Sequence, residues 1–396
     1  MQRTIRRREA LALGAGLGAG LAAPLAFSGP ARAAAAGPRV LRYAFPVAES
    51  GFDPAQISDT YSRTVTAHIF EALYGYDHLA RPAKVVPLTA DGLPEVSEDF
   101  RRWTFKVRPG IFFADDPAFQ GRPRELTAAD FVYAIKRYAD PAVKSPLWAS
   151  VENWKVPGLA ALRKQALDRR PRSTTTPRSK ACAARPLPLE LRFELPRPRF
   201  IDSMAVSDLF GGVAREVVQA YGDKIAEHPV GTGPFRLAQW RRSSLIVLER
   251  NPAYRERLWD CSPAADDAEG QAIAAKLRGR RLPLLDRVEI SIIEEAQPRW
   301  LSFLNGQHDY IDRLPPEFTE AHARRLRGAA PREAGVRGVI TLVSDVTLPT
   351  STWTTGGRRP GAAPGGAAPR HQPGHRRGKR EIRLVRRGMA TPRKAR

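Results

Sequence analysis

The segment from His228 to Arg255, HPVGTGPFRLAQWRRSSLIVLERNPAYR, constrains the fold of this chain more than any other. Alternating apolar and polar residues from Phe235 onward predict a half-buried strand. The apolar, branched run Leu245–Leu248 predicts a second, buried strand, and the polar residues 241–244 predict the turn between them. The residues therefore predict a β-hairpin within a mixed α/β domain.

This hairpin segment also carries a family resemblance. The order V-G-T-G-P-F, then a tryptophan, then a strand ending in R-N-P-x-Y resembles the signature of family 5 extracellular solute-binding proteins, the peptide- and nickel-capturing subunits of bacterial ABC importers. That family often has tryptophan after the tyrosine, where this chain has Arg255. Further segments resemble the family in the same order, including the helix end Glu71–Tyr74 and the segment WTFKVRPG from Trp103. The resemblance covers about 34–168 and 189–318.

The resemblance implies an α/β, periplasmic-binding-protein-like (Venus-flytrap) fold, in which two lobes close on a ligand about a hinge. Family members are usually longer than this chain, so we expect a first lobe with an inserted small domain and a second lobe that is largely missing. The implied divisions are a signal peptide at 1–33, lobe I at 34–77 and 189–318, an inserted small domain at 78–188, and a basic tail at 319–396.

The amino terminus predicts export. Arg6-Arg7-Arg8 precedes a mostly apolar stretch, Leu11–Phe27, and then the small-x-small site Ala31-Arg32-Ala33, which is the order of a secretory signal peptide. We expect cleavage after Ala33 and a periplasmic protein. The residues around Arg6 also resemble a twin-arginine export signal. A short membrane anchor is the alternative interpretation.

Charge is distributed unevenly along the chain. The net charge of +23 would suggest a nucleic-acid partner, but the basic excess lies in 1–33, 163–187 and 319–396. Acidic and basic residues nearly balance elsewhere. Trp353 is the one Phe, Tyr or Trp residue within 163–187 and 319–396, which is too few for a base-stacking surface, so we predict no nucleic-acid partner.

The segments 169–188 and 319–396 are atypical in composition. The first is rich in Arg and Pro, and residues 351–378 are rich in Gly and Pro without an apolar period. Such composition cannot offset the entropy of ordering by apolar burial. We therefore expect both segments to lack a packed core and interpret them as disordered or frameshifted sequence. Resequencing the gene would separate these two interpretations.

Other segments predict regular elements. Val40–Phe45 and Leu285–Ile293 alternate as strands, residues 306–311 predict another strand, and 60–73 has helical spacing. Thr127 and Asp130 form a variant of the capping box, which predicts a helix beginning there.

Catalytic and metal-binding motifs are not present in the sequence. The histidines have no H-E-x-x-H or H-x-H spacing, and we interpret His68 and His308 as surface or satisfied structural residues. The adjacent acids at 115–116 and 266–267 are predicted to be loop residues. We predict no enzyme activity, no cofactor and no metal. Cys182 and Cys261 could pair in an oxidising compartment, although Cys182 lies in an atypical segment.

The resemblance also implies a ligand site and partners. Ile57, Ser58, Asp59 and Thr60 match the region whose main chain pairs with peptide in peptide-binding members, and an ordinary solvated loop is the alternative. The implied ligand is an oligopeptide or related small solute, delivered to an ABC permease in the inner membrane. With one lobe largely missing, we expect weak binding or none. A non-functional truncated product and a basic interaction protein stay open as alternatives.

Overall fold

The computed structural model describes residues 37–168 and 188–312, together with Leu314, Phe318 and the backbone of 336–344 and 378–386. The predicted signal peptide 1–33 lies outside the described residues. So does nearly all of the atypical segment 169–188, including Cys182, and most of the tail. The described residues from Pro38 onward group as one compact unit.

The strands run in chain order as β1 Val40–Phe45, β2 Tyr74–Tyr76, β3 Val85–Pro87, β4 Glu95–Val96, β5 Arg102–Phe105, β6 Leu189–Arg192, β7 Phe235–Arg241, β8 Leu245–Arg250, β9 Arg287–Ile292, β10 Tyr310–Ile311, β11 Val336–Ser344 and β12 Gly378–Arg386. The α-helices are α1 Thr60–Ile69, α2 Ala128–Ala139, α3 Trp148–Glu152, α4 Leu159–Asp168, α5 Phe200–Ser203, α6 Ser207–Phe210, α7 Arg215–Tyr221, α8 Ala268–Leu277 and α9 Ala296–Leu304.

A seven-stranded mixed sheet has the order β11-β12-β10-β1-β9-β8-β7. Strand β1 lies between β9 and β10 and runs parallel to both, so that Tyr43 pairs with Ile290 on one side and Tyr310 on the other. The predicted hairpin is confirmed as β7 and β8, with the turn closed by Ser244 N–H donating to Arg241 O at 3.0 Å. The hairpin joins the sheet through β8, antiparallel to β9.

The two faces of β1 differ because successive strand residues point to opposite sides. Phe45 packs with Val288 and Ile290 of β9 and with Val65 of α1 in one apolar cluster. On the other face Arg42 forms an ion pair with Glu289 (Nε to Oε2, 3.2 Å). Helix α1 therefore covers the apolar face of the main sheet.

Helix α1 was expected to continue to residue 73, but it ends at Ile69. Phe70 adopts an extended conformation with φ −101° and ψ 155°, and Gly233 N–H donates to the carbonyl of Ile69 at 2.8 Å. A Cβ on Gly231 would lie 2.1 Å from that carbonyl oxygen. The G-T-G segment therefore lies against the helix end, and its glycines permit the close approach.

A smaller sheet has the order β4-β5-β6. Strand β6 begins at Leu189 and pairs antiparallel with β5, Trp103 opposite Leu191. Residues 189–192, expected in the second part of lobe I, are therefore hydrogen-bonded to β5, a strand of the expected small domain. Helix α2 packs near this sheet and begins with the predicted capping box of Thr127 and Asp130, which is confirmed.

Two segments of the tail form strands. Residues 319–396 were expected to lack a packed core, and within them β12 pairs antiparallel with β10 and β11 pairs with β12. Both strands contain short runs rich in Val, Ile and Leu, which favour strand pairing. Composition averaged over the whole tail hides these runs. Strand β10 is also shorter than the expected 306–311 strand.

Candidate ligand-binding site

The loop of residues 46–59 follows β1 and leads into α1. Because β1, β9 and β10 are parallel, their carboxyl ends meet at one edge of the sheet, which is where open α/β sheets commonly bind ligands. The predicted site residues Ile57–Thr60 lie at the end of this loop. The structure therefore places them at the edge of the sheet that ligands favour.

The predicted site residues differ in exposure. Ile57 is 2% exposed and anchors the loop in the protein interior, whereas Ser58 and Thr60 are exposed. Among the described residues, neither the Ile57 N–H nor the Ser58 N–H donates a hydrogen bond. The main-chain N–H groups at these two positions are thus unpaired within the described part of the protein.

Asp59 fixes the start of α1. Its Oδ1 accepts from the backbone N–H of Ser62 at 2.8 Å, and its Oδ2 accepts from the Ser50 hydroxyl at 2.5 Å. Partial burial opposes ionisation, but these hydrogen bonds outweigh it and hold the pKa of Asp59 below its usual value. Asp59 is therefore a helix cap that also ties the loop to Ser50, and its carboxylate is engaged within the protein.

A buried ion pair holds the start of the loop. The Arg137 guanidinium, on α2, donates from Nη1 and Nη2 to the two carboxylate oxygens of Asp53, both at 2.6 Å. The side chains are 6% and 0% exposed. The hydroxyl of the adjacent Tyr138 lies 3.1 Å from the carbonyl oxygen of Pro54. Helix α2 therefore fixes residues 53 and 54, four residues before the predicted site.

The same loop is joined to the hairpin. Glu49 is 5% exposed, and its Oε1 accepts from Trp240 Nε1 at 2.5 Å and from the Ser243 N–H at 3.0 Å. Its Oε2 has no hydrogen-bond partner among the described residues. The loop is thus held at Glu49 by the hairpin turn and at Asp53 by α2.

Arg255, which stands where the resembled family often has tryptophan, has a structural role. Arg255 donates to both carboxylate oxygens of Glu71, at 2.6 and 3.1 Å, and Glu71 is 3% exposed. Thr232 and Tyr254 donate hydrogen bonds to the same carboxylate. Burial, with the nearby Glu71 charge, raises the pKa of Tyr254 to about 12. This cluster joins the V-G-T-G-P-F segment to the end of the first helical region and is structural.

A cavity of about 710 Å³ lies between α1 and the apolar face of the main sheet. Of the four predicted site residues, Thr60 is the one that lines it. Tyr43, Phe45 and Ile290 form part of its wall, and His68 opens into it from α1. Although His68 is accessible from the cavity, the surrounding protein lowers its pKa by desolvation.

The remaining candidates have structural roles. Asp116 and Asp267 cap short helices, as expected for loop acids. His308 was expected to be a surface or satisfied residue, yet it is 5% exposed and its Nδ1 has no hydrogen-bond partner among the described residues. Cys261 is buried, and its thiol forms no disulfide within the described residues.

Within the described ranges, no cluster of three or more His, Cys, Asp or Glu side chains could hold a metal ion. None of the helices in those ranges is both long and apolar enough to cross a membrane.

Sequence reasoning missed the residues that hold the site loop. Arg137 is separated from Asp53 by 84 residues, and Glu49 from Trp240 by 191. The one sign in the sequence is that Arg137 adjoins Tyr138, an aromatic residue on the buried face of α2. A cation beside a buried helix face needs a buried partner, but the sequence does not identify which acid supplies it.

Residues 84–336 match the model of the family described as bacterial extracellular solute-binding proteins, family 5 Middle. The probable deoxycholate-binding periplasmic protein YgiS of Escherichia coli is 30% identical over 318 residues, 77% of this chain and 55% of that protein. Di/tripeptide-binding protein 2 of Pseudomonas aeruginosa is 26% identical over 251 residues, 61% of this chain and 42% of that protein.

Among solved structures, Haemophilus influenzae OppA in complex with RPPGFSPFR is similar with a TM-score of 0.56 and 21% identity, covering 77% of this chain and 51% of that chain. This likeness confirms the α/β, periplasmic-binding-protein-like fold. The chain spans about half the length of the relatives it matches.

Proposed function

Because this chain belongs to family 5 of the bacterial extracellular solute-binding proteins, we propose that it is the substrate-binding component of an ABC importer. It captures oligopeptides or related small solutes in the periplasm and delivers them to a permease in the inner membrane. The relative from Pseudomonas aeruginosa is described as binding di- and tripeptides, which supports a peptide ligand. The family is one of solute binding, so no catalytic step is proposed.

The observation that carries this proposal is the main chain of Ile57 and Ser58. Their N–H groups make no hydrogen bond among the described residues, and they stand in a loop fixed by Asp53 and Asp59. A peptide backbone could pair with them as an added strand, in which main-chain hydrogen bonds supply affinity and permissive pockets receive the side chains. Thr60 lies at the end of the same segment and lines the adjacent cavity.

Restraint of the loop contributes to binding. A loop that is already ordered loses less conformational entropy when a ligand binds. The Asp53–Arg137 pair and the Asp59 cap provide that order on the two sides of Ile57 and Ser58.

Calorimetric titration of the full chain with a set of tripeptides tests the proposal. Ser58→Pro removes one N–H donor, and Ser58→Ala is the matched control that keeps it. We expect the parent and Ser58→Ala to bind with similar affinity and Ser58→Pro to bind at least about tenfold more weakly, which corresponds to the loss of one hydrogen bond of about 1.4 kcal/mol. Equal binding by all three would contradict the assignment of this loop.

A further inference from the structure

The cavity between α1 and the main sheet is large and mostly apolar. Its volume of about 710 Å³ falls within the range of roughly 300–1,000 Å³ that is typical of small-molecule sites. It extends along β1, from Leu41 to Pro46, and reaches Ile311 at the end of β10. The cavity therefore adjoins the loop at Ile57–Thr60 and is a space distinct from the one next to that loop.

The sheet side of the cavity is an apolar wall. Phe45, Leu248, Val288 and Ile290 line it and are between 1% and 8% exposed. These side chains come from three neighbouring strands and belong to the cluster that packs against α1. A ligand against this wall would gain from apolar contact with a surface that the fold already holds in place.

The helix side of the cavity is polar and neutral. Thr60, Thr64 and His68 line it and follow one another at a spacing of four residues, which places them on one face of a helix. The stripe is about 12 Å long at the helical rise of 1.5 Å per residue. The Thr64 hydroxyl donates to the Thr60 carbonyl at 2.8 Å, and its oxygen can accept a hydrogen bond from a ligand.

The charged groups of the cavity are engaged within the protein. Arg299 donates to the carbonyl oxygens of Ile293 and Glu294, at 2.6 and 2.9 Å. Asp312 accepts from the Tyr310 hydroxyl at 2.8 Å. Desolvation lowers the pKa of His68, which favours its neutral form. A charged ligand group buried here would have to compete for these partners, and burying it without one is costly.

We propose that this cavity is a second binding site, which takes an uncharged, apolar small molecule carrying a neutral hydrogen-bonding group. The apolar body lies against the wall formed by Phe45, Val288 and Ile290. The neutral polar group faces the Thr60–Thr64–His68 stripe of α1. The site goes beyond peptide capture at Ile57–Ser58, because its contacts come from side chains of the sheet and helix and not from the free main chain of the loop.

Fluorescence titration of the full chain with N-phenyl-1-naphthylamine, an uncharged aromatic amine, tests the site. Thr64→Phe places a ring in the cavity from α1. Ala67→Phe is the matched control, since Ala67 is exposed on the same helix and does not line the cavity. We expect saturable binding of one probe per chain in the parent, affinity within about twofold for Ala67→Phe, and at least about tenfold weaker binding for Thr64→Phe.

Folding is monitored by thermal melting of each variant. If Thr64→Phe melts well below the parent, His68→Phe replaces it as the filling variant, with the same expectation. Absence of one-site binding in the parent would overturn the proposal, as would equal affinity of the filling variant and Ala67→Phe. Ser58→Pro should bind the probe as the parent does, so that failure of peptide capture and failure of this site are distinguishable.

Discussion

Arg137 and Asp53 form a two-bond ion pair, with both N–O distances at 2.6 Å, across 84 residues of sequence. Both side chains are almost completely buried. The pair joins helix α2, which packs near the small sheet, to the loop that follows the central strand of the main sheet. It thereby connects the region of the small sheet to the segment that precedes the candidate site.

Removing one partner of this pair should be strongly destabilising. Arg137→Met leaves the Asp53 carboxylate buried without its cation, and such changes typically cost about 3–5 kcal/mol. Arg192→Met is the control, because its ion pair with Glu190 is exposed and such pairs contribute about 0–1 kcal/mol. Urea unfolding followed by circular dichroism measures both. Equal losses of stability for the two variants would show that the buried pair has no special role.

Gly233 should not tolerate a side chain. A Cβ there would lie 2.5 Å from the His68 carbonyl oxygen, so Gly233→Ala must displace the end of α1 and should destabilise the chain by about 1–3 kcal/mol, as overpacking does. In Gly75→Ala the added Cβ meets only Leu88 Cδ2 at 3.9 Å, and we expect little change. The free energy of unfolding of the two variants, compared with that of the parent, tests this prediction. A Gly233→Ala variant as stable as the parent would be inconsistent with the packing described.

Asp286 should contribute to the pH dependence of stability. Desolvation opposes its ionisation, but hydrogen bonds from Arg39 and Arg250 outweigh that effect and lower the pKa of Asp286 from 3.8 to about 2. Because the pKa of Asp286 is lower in the folded state than in the unfolded state, its ionised form stabilises the fold at pH values above the unfolded-state pKa. This contribution is lost as the pH falls from about 4 to about 2. Part of the effect is screened because the site is partly exposed.

The comparison of parent and Asp286→Asn measures this contribution. The difference in free energy of unfolding should be constant from about pH 5 upward and should shrink toward pH 2. Glu98→Gln, at an exposed loop position, is the control for removing a carboxylate. A parent–variant difference that grows as the pH falls would have the wrong sign for a depressed pKa.

Export is predicted from the amino terminus alone. Cleavage after Ala33 should leave a periplasmic chain that begins at residue 34, and amino-terminal sequencing of the exported protein checks this. If the twin-arginine route is used, changing Arg6 and Arg7 to Lys should block export. Exported protein that still begins at Met1 would rule out the predicted cleavage.

Local patterns predicted the hairpin, β1, β9 and the start of α2, because alternation and capping residues act over a few positions. The family resemblance is confirmed, since the family model covers residues 84–336. The pairing of β6 with β5 was not predicted. Leu191 and Trp103 are opposite each other but far apart in sequence, and no local pattern selects such a partner.

In the candidate site, too, some features could be predicted from the sequence and others depend on long-range contacts. Ile57–Thr60 came from the resemblance, and the position of the loop at the carboxyl end of β1 follows from its place after that strand. The Asp53–Arg137 pair and the Glu49–Trp240 hydrogen bond depend on tertiary contacts. The helix stripe Thr60–Thr64–His68 was not recognised, because the apolar wall opposite it is built from three separate strands.

The most direct test is amide hydrogen exchange of residues 56–60 in the full chain, with and without a saturating tripeptide. If the main chain of Ile57 and Ser58 pairs with the ligand, exchange of these amides should slow by at least about tenfold on binding, since a newly formed hydrogen bond must open before exchange. The amide of Gln56, already bonded to Asp53 O at 2.9 Å, should change little. Peptide binding without slowed exchange at Ile57 and Ser58 would contradict the central claim.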